Sequence, residues 1–226
     1  MKRFWTDVGI DEARVVTLNG RPVRTPGRVP LALPTAALAE AVAAEWRAVP
    51  ETIDPRRMPL TGLANAAIDR IGPDPASFAA GLARYGESDL LCYRADGPDD
   101  LVARQAATWD PPLAWARARY DVHLELATGI IHRAQPAATI RRLGDAVAAL
   151  DAFTLAGLSP LVTISGSLIL GLALVERAME PADIWAAANL DEDWQAERWG
   201  HDPLAADARE ARRRDFDGAV RFLEAL

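Results

Sequence analysis

At 226 residues, half of them hydrophobic, the chain is long enough for one large domain or two small ones with a sizeable core. Its formal net charge of −7 argues against a general nucleic-acid binder, which needs a basic face. With Cys92 as its one cysteine, it can form neither an intrachain disulfide nor a thiolate metal cluster, and a reducing compartment is the natural inference.

The chain opens Met1-Lys2-Arg3-Phe4-Trp5 and enters structure without an apolar signal core or an arginine-rich presequence, so it reads as cytoplasmic or already processed. The first 34 residues are strand-like. Val15 to Leu18 leads through Asn19-Gly20 into Arg21 to Thr25, and Asn-Gly between such runs is a strong type I′ hairpin signal. Pro22 offers no ladder donor, so its strand should lie at an edge. Pro26-Gly27 marks a second turn and Val29 to Leu33 a third strand, giving a small antiparallel meander. Thr35 is a predicted N-cap for a helix carrying Leu38, Ala41, Val42, Glu45 and Trp46. Pro50 and Pro55 bracket a loop that is the predicted domain boundary. The expected class is α+β: a β-rich N-terminal domain with one helix over residues 1–55, then a larger, mostly α-helical domain over residues 56–226.

Beyond the boundary the spacing predicts helices over Leu60 to Ile71, from Asp74-Pro75 with Phe78, Leu82 and Tyr85 inward, and over Asp99 to Trp109. Pro111-Pro112 should restart the chain into Leu113 to Tyr120, with Trp109 and Trp115 packed beside the prolines. Val122 to Leu126 alternates like a short strand. Four more helices are predicted over Pro136 to Leu150, Ala152 to Met179, Pro181 to Trp199 and Pro203 to Leu226. No charge interrupts Ala152 to Val175, a length sufficient to cross a bilayer, but its small polar residues and unflanked ends favour a buried central helix over stable membrane insertion.

Chemistry is sparse. Ser165-Gly166-Ser167 is a small-residue patch in a helix rather than a nucleophile elbow, and neither a phosphate loop nor a dinucleotide fingerprint is present. His123, His132 and His201 lack metal-ligand spacing and read as surface or satisfied histidines. Cys92, inside Leu90-Leu91-Cys92-Tyr93, reads as core. Arg209, Arg212, Arg213 and Arg214 read as a solvated helix face. Asn65 and Asp69 read as caps or cross-links between helices. No motif implies a cofactor or a metal.

The richest stretch is Leu190 to Gly200, which holds Asp191, Glu192, Asp193, Glu197, Gln195, Arg198, Trp194 and Trp199. At about 100° per residue on one continuous helix, Ile184, Ala187, Ala188, Trp194 and Trp199 share a broad side. Asp191 and Gln195 fall near its middle, and Glu192 at its edge between Trp185 and Trp199. An unpaired carboxylate buried there costs several kcal/mol, so it needs a partner. That partner is either an arginine of the chain, Arg198 or another, or a group outside it.

Several segments together, in order and spacing, resemble one family. They are Lys2 to Trp5; Leu18 to Pro26; Ala44-Glu45-Trp46; Met58 to Thr61 with Asn65 and Asp69; Asp89 to Arg94 with Gln105 and Trp109-Asp110-Pro111; and Gln195 to Gly200. The chain is similar to the assembly chaperones of the soluble catalytic sector of ATP synthase, the family that handles the alpha subunit. The resemblance implies a small β-containing domain before a helical one, and a chaperone rather than an enzyme. It implies binding of the unassembled alpha subunit, whose apolar interface is shielded until the beta subunit replaces the chaperone. It places the chain in the bacterial cytoplasm, with mitochondrial relatives in the matrix. It also implies an essential glutamate before Gln195. Glu192 is the glutamate of the triplet, yet Asp191 lies nearer the apolar centre, so both stand. The expected partner-binding residues are Glu192, Asp191, Gln195, Trp194 and Trp199. The rival reading is a small-molecule enzyme using Asp191 and Glu192 as acid and base, which would require a deep pocket around them.

Overall fold

The computed structural model describes residues 2–129, 133–200 and 203–226. By contact the chain divides into two compact units, residues 1–75 with 151–157 and 217–226, and residues 76–150 with 158–216.

The first unit carries the sheet. Strands β1 (Val8–Ile10), β2 (Val16–Leu18) and β3 (Arg21–Pro22) pair antiparallel in that order, with Leu18 opposite Arg21. That register leaves Asn19-Gly20 as a two-residue loop, and both have positive φ, 50° and 74°, as a type I′ turn requires. Pro22 lies in the terminal strand. The third predicted strand is present only as isolated bridges, Val15 with Ala32 and Arg24 with Pro30. Its backbone still bonds to the meander on both sides, the Leu31 N–H donating to the Val23 carbonyl at 2.9 Å and the Leu31 carbonyl accepting from the Val16 N–H at 3.3 Å, while the Thr25 N–H closes the turn on the Val29 carbonyl at 2.8 Å. Helix α1 (Ala36–Ala48) starts at Thr35, whose hydroxyl accepts from the Leu38 N–H at 3.0 Å, and buries Leu38, Ala39, Val42, Ala43 and Trp46.

Helix α2 (Pro59–Ala66) continues into a π-helical turn over Ala67–Ile71. Glu45 accepts from the Leu60 and Thr61 N–H groups at 2.8 Å each, capping α2 from α1. This cap holds residues 56–75 with the first unit, so its edge lies well beyond Pro55. Asp69 does not cross-link helices: it accepts from the Thr25 hydroxyl at 2.6 Å and the Gly27 N–H at 2.7 Å, clasping the second turn of the meander.

The second unit is helical. After α3 (Pro75–Ala83), a short strand β4 (Tyr93–Arg94) pairs in parallel with β5 (Ala127–Thr128). Helix α4 (Asp99–Tyr120) runs straight through Pro111 and Pro112, against the expected restart. An interior proline costs about 3 kcal/mol. Trp109, Leu113 and Ala116 are fully buried on one face and outweigh it. Trp109 donates its indole N–H to the Ala187 carbonyl at 2.9 Å, and Trp115 meets Tyr120 edge to face. Val122 and Leu124 are buried on either side of exposed His123, but Leu126 is exposed and the segment forms no strand. Side chains occupy their backbone groups: the Gln135 amide bonds both the N–H and the carbonyl of Glu125 at 2.9 Å, and Thr139 bonds His123.

Helix α5 (Ala137–Ala148) follows the predicted span. The charge-free run is not one helix but two, α6 (Ala152–Ser165) and α7 (Leu168–Val175). Gly166 turns left-handed at φ 67°, and the Ser167 hydroxyl caps α7 by accepting from Leu170 at 3.0 Å. Ser165-Gly166-Ser167 is therefore the break itself rather than a patch within a helix. Among the described residues no helix is long and apolar enough to cross a membrane. The predicted helix over Pro181 to Trp199 is also two, α8 (Pro181–Ala188) and α9 (Leu190–Trp199), separated at Asn189. Helix α10 (Pro203–Glu224) closes the chain. His132 and His201 lie outside the described residues; His123 is an exposed surface histidine beside Glu125.

Candidate functional site

The break at Asn189 resets the helical wheel on which the acidic segment was placed. Asn189 has φ −110° and ψ 12° and, 5% exposed, donates its side-chain amide to the Trp185 carbonyl. Ile184, Ala187 and Trp194 are buried, as the single-helix wheel expected, but Trp199 is 74% exposed. Its ring meets Trp194 edge to face at 5.6 Å and otherwise faces outward. Trp199 is therefore not core.

Each acid of α9 has a partner within the unit. Asp191 accepts from the side-chain amide of Gln105 at 2.8 Å. Both oxygens of Glu192 accept from Arg212, at 2.9 and 2.7 Å. Asp193 pairs with Arg209. Glu197 takes a two-point contact from Arg104 at 2.7 and 2.8 Å, which holds its carboxyl below the usual glutamate range. Arg198 turns back to Asp100 of α4, which also accepts from the Trp194 indole at 3.3 Å. The arginines of the chain thus supply the partners that the acidic segment demanded. They also revise the reading of the α10 arginines: Arg209 and Arg212 bind carboxylates, and Arg209 and Arg213 lie over the Trp185 ring at 5.9 and 5.1 Å. Only Arg214, paired distantly with Glu210, keeps the character of a solvated face.

Between α8, α9 and α10 lies a groove of about 730 Å³, with Trp185, Ala196, Trp199, Ala205 and Ala206 as its apolar lining. Glu192, Asp193, Gln195, Arg209, Glu210 and Arg213 form the polar part of its wall. Of the five expected partner-binding residues, Glu192, Gln195 and Trp199 meet here. Asp191 and Trp194 do not line the groove; they turn toward α4. Sequence reasoning passed over Trp185, Arg209, Arg213 and Gln105 as site residues, and no local motif could have found them, since helix breaks and partners distant in sequence bring them together.

The groove suits an apolar side chain with a polar surround. It does not suit acid–base chemistry. Glu192 is exposed and clamped by an arginine, and Asp191 faces an amide rather than a cavity. Among the described residues no cluster of three or more His, Cys, Asp or Glu is placed to hold a metal ion. Cys92 is buried, and burial together with the Asp89 charge pushes its thiol up to about 12, so it is not a nucleophile at neutral pH.

Against this geometry stand the comparisons with known proteins. A family model described as ATP12 chaperone protein matches residues 2–117. The crystal structure of Atp12 from Paracoccus denitrificans is 44% identical, covering 99% of this chain and 97% of that one, with a TM-score of 0.93. A crystal structure from Agrobacterium tumefaciens is 39% identical over 99% of this chain and 85% of that one, with a TM-score of 0.93. The mitochondrial protein atp12 of Schizosaccharomyces pombe is 25% identical over 214 residues, 88% of this chain and 74% of that protein.

Proposed function

This chain belongs to the ATP12 chaperone family, whose members serve the assembly of ATP synthase, and from that membership we propose that its client is the unassembled alpha subunit. The match over residues 2–117, extended along the whole chain by the Paracoccus structure, is the observation that carries this reading. The chaperone covers the apolar interface of the alpha subunit and yields it to the beta subunit. It acts by stoichiometric binding rather than by catalysis, in the bacterial cytoplasm.

The groove beside α9 supports a place for the contact. Trp199 offers an exposed aromatic anchor, Trp185, Ala196 and Ala205 an apolar floor, and Glu192 and Gln195 a polar edge. Exposed large apolar side chains in such a setting mark partner surfaces more often than they mark core. A stable contact covers about 800 Å² on each partner, so the groove is the centre of the surface rather than all of it. Glu192 is the partner-facing acid, and Arg212 holds its carboxylate ready in the free chaperone.

Titration of the purified chain with isolated alpha and, separately, isolated beta subunit tests the proposal. Saturable one-to-one binding of alpha, much weaker binding of beta, and indifference to added ATP are expected. Equal binding of both subunits, or of neither, would overturn it.

A further inference from the structure

The acidic wall of the groove is only as well placed as α9, and α9 has few anchors. It lies between the break at Asn189 and Gly200, which has φ 87°. Only Leu190 and Trp194 are buried along it. Its pairs with Arg104, Arg209 and Arg212 are between partly exposed side chains and are screened by salt. Such pairs hold a helix loosely.

One polar link differs from these. Gln105 of α4 is 2% exposed. Its side-chain oxygen accepts from the Ala95 N–H at 2.8 Å, and its side-chain nitrogen donates to Asp191 at 2.8 Å. A backbone N–H can only donate, so the Ala95 contact fixes which end of the amide is oxygen. The other end must then be a donor, and it meets Asp191, an acid of α9 that does not line the groove. A buried amide with both ends used is a demanding fit, because a lost partner leaves a polar group without water or protein to bond.

We propose that Gln105 is the positioning residue for α9: seated on Ala95 of the loop before α4, it grips Asp191 and so sets where the groove wall carrying Glu192 and Trp199 stands. Asp191 then serves the seat and Glu192 the partner. The binding arm of the test rests on the alpha-subunit reading above; the exchange arm does not.

Hydrogen exchange of the full chain, read by peptide, tests the seat. Gln105→Glu keeps an acceptor for Ala95 but removes the donor and sets two carboxylates face to face. Peptides covering residues 190–199 should exchange at least tenfold faster, with α7 unchanged, and affinity for isolated alpha subunit should fall at least tenfold. Asp191→Ala leaves α4 intact and should accelerate the same peptides. The double variant Gln105→Glu with Asp191→Asn reverses donor and acceptor and restores the bond, so exchange and affinity should both return to within threefold of the parent chain. Unchanged exchange in Gln105→Glu and Asp191→Ala would overturn the proposal. Restored exchange without restored binding would also overturn it, because Asp191 would then meet the partner directly. Failure of the parent chain to bind alpha subunit would sink the client reading, while the exchange arm would still decide the seat.

Discussion

Asp191 and Glu192 are neighbours in sequence with different surroundings, and substitution should separate them. Glu192 is exposed, and its pair with Arg212 contributes about 0.2–1 kcal/mol to folding at most. Glu192→Lys should therefore leave the melting temperature within about 4 °C of the parent. If Glu192 meets the client, truncating a desolvated charge pair costs about 2–5 kcal/mol, roughly thirtyfold or more in affinity. Full-strength binding by Glu192→Lys, measured by titration with the alpha subunit, would return the segment to ordinary surface chemistry. Asp89 poses a different question. It is 0% exposed and caps α7 through the Ile169 N–H at 3.0 Å, and burial raises its carboxyl from 3.8 to about 6. A folded value above the unfolded one means the folded state holds the proton more tightly. The Asp89 contribution to stability is thus fully present below about pH 4 and falls away as pH rises to about 6, by about 3 kcal/mol in all. Urea melts of the parent and Asp89→Asn across that window should show this fall in the parent alone; parallel pH profiles would contradict it. Gly27 is fixed by close approach: a Cβ there would lie 2.6 Å from the Asp69 carboxylate that clasps its turn. Gly27→Ala should break the clasp and lower stability by about 1–3 kcal/mol in denaturant titration.

Elements whose signals are local were legible in the sequence. Asn19-Gly20 carries its own turn geometry, Thr35 caps a helix three residues away, and Pro22 declares an edge. Elements decided by distant partners were not. The break at Gly166 is hard to read in a run without charge, because the Ser167 cap is joined by Asp89, some eighty residues earlier, in holding the start of α7. The break at Asn189 rests on one amide bonding back into α8, and missing it sent Trp199 to the wrong side of the wheel. The segment from Val122 to Leu126 has a strand's alternation but not a strand's backbone, since Gln135 and Thr139 take its hydrogen bonds. Likewise α4 overrides two prolines because Trp109 and Leu113 are packed on both sides of them. That override has a testable consequence. Pro111 is exposed, and replacing it with alanine restores a backbone donor without disturbing the buried face. Pro111→Ala should raise stability by about 1–2 kcal/mol, the helical gain being offset in part by a freer unfolded chain. A fall in stability would mean that the proline ring itself packs.

For the whole molecule, the acidic character is spread unevenly between free and paired groups. A net charge of −7 makes copies of the chain repel one another, and the acidic helix is neutralised largely by arginines of the chain rather than left bare. The candidate site was half legible for the same reason that the helices were. The acidic and aromatic composition of Leu190 to Gly200 is visible in the sequence, whereas the groove exists only once α10 lays Arg209 and Arg213 over Trp185. On the proposed function, this chain keeps an unassembled alpha subunit from aggregating by covering it. Light scattering of alpha subunit diluted from denaturant measures that directly. An equimolar amount of this chain, without nucleotide, should suppress the scattering, and later addition of beta subunit should release the alpha subunit into a complex. Scattering that rises equally with and without the chain would contradict the account.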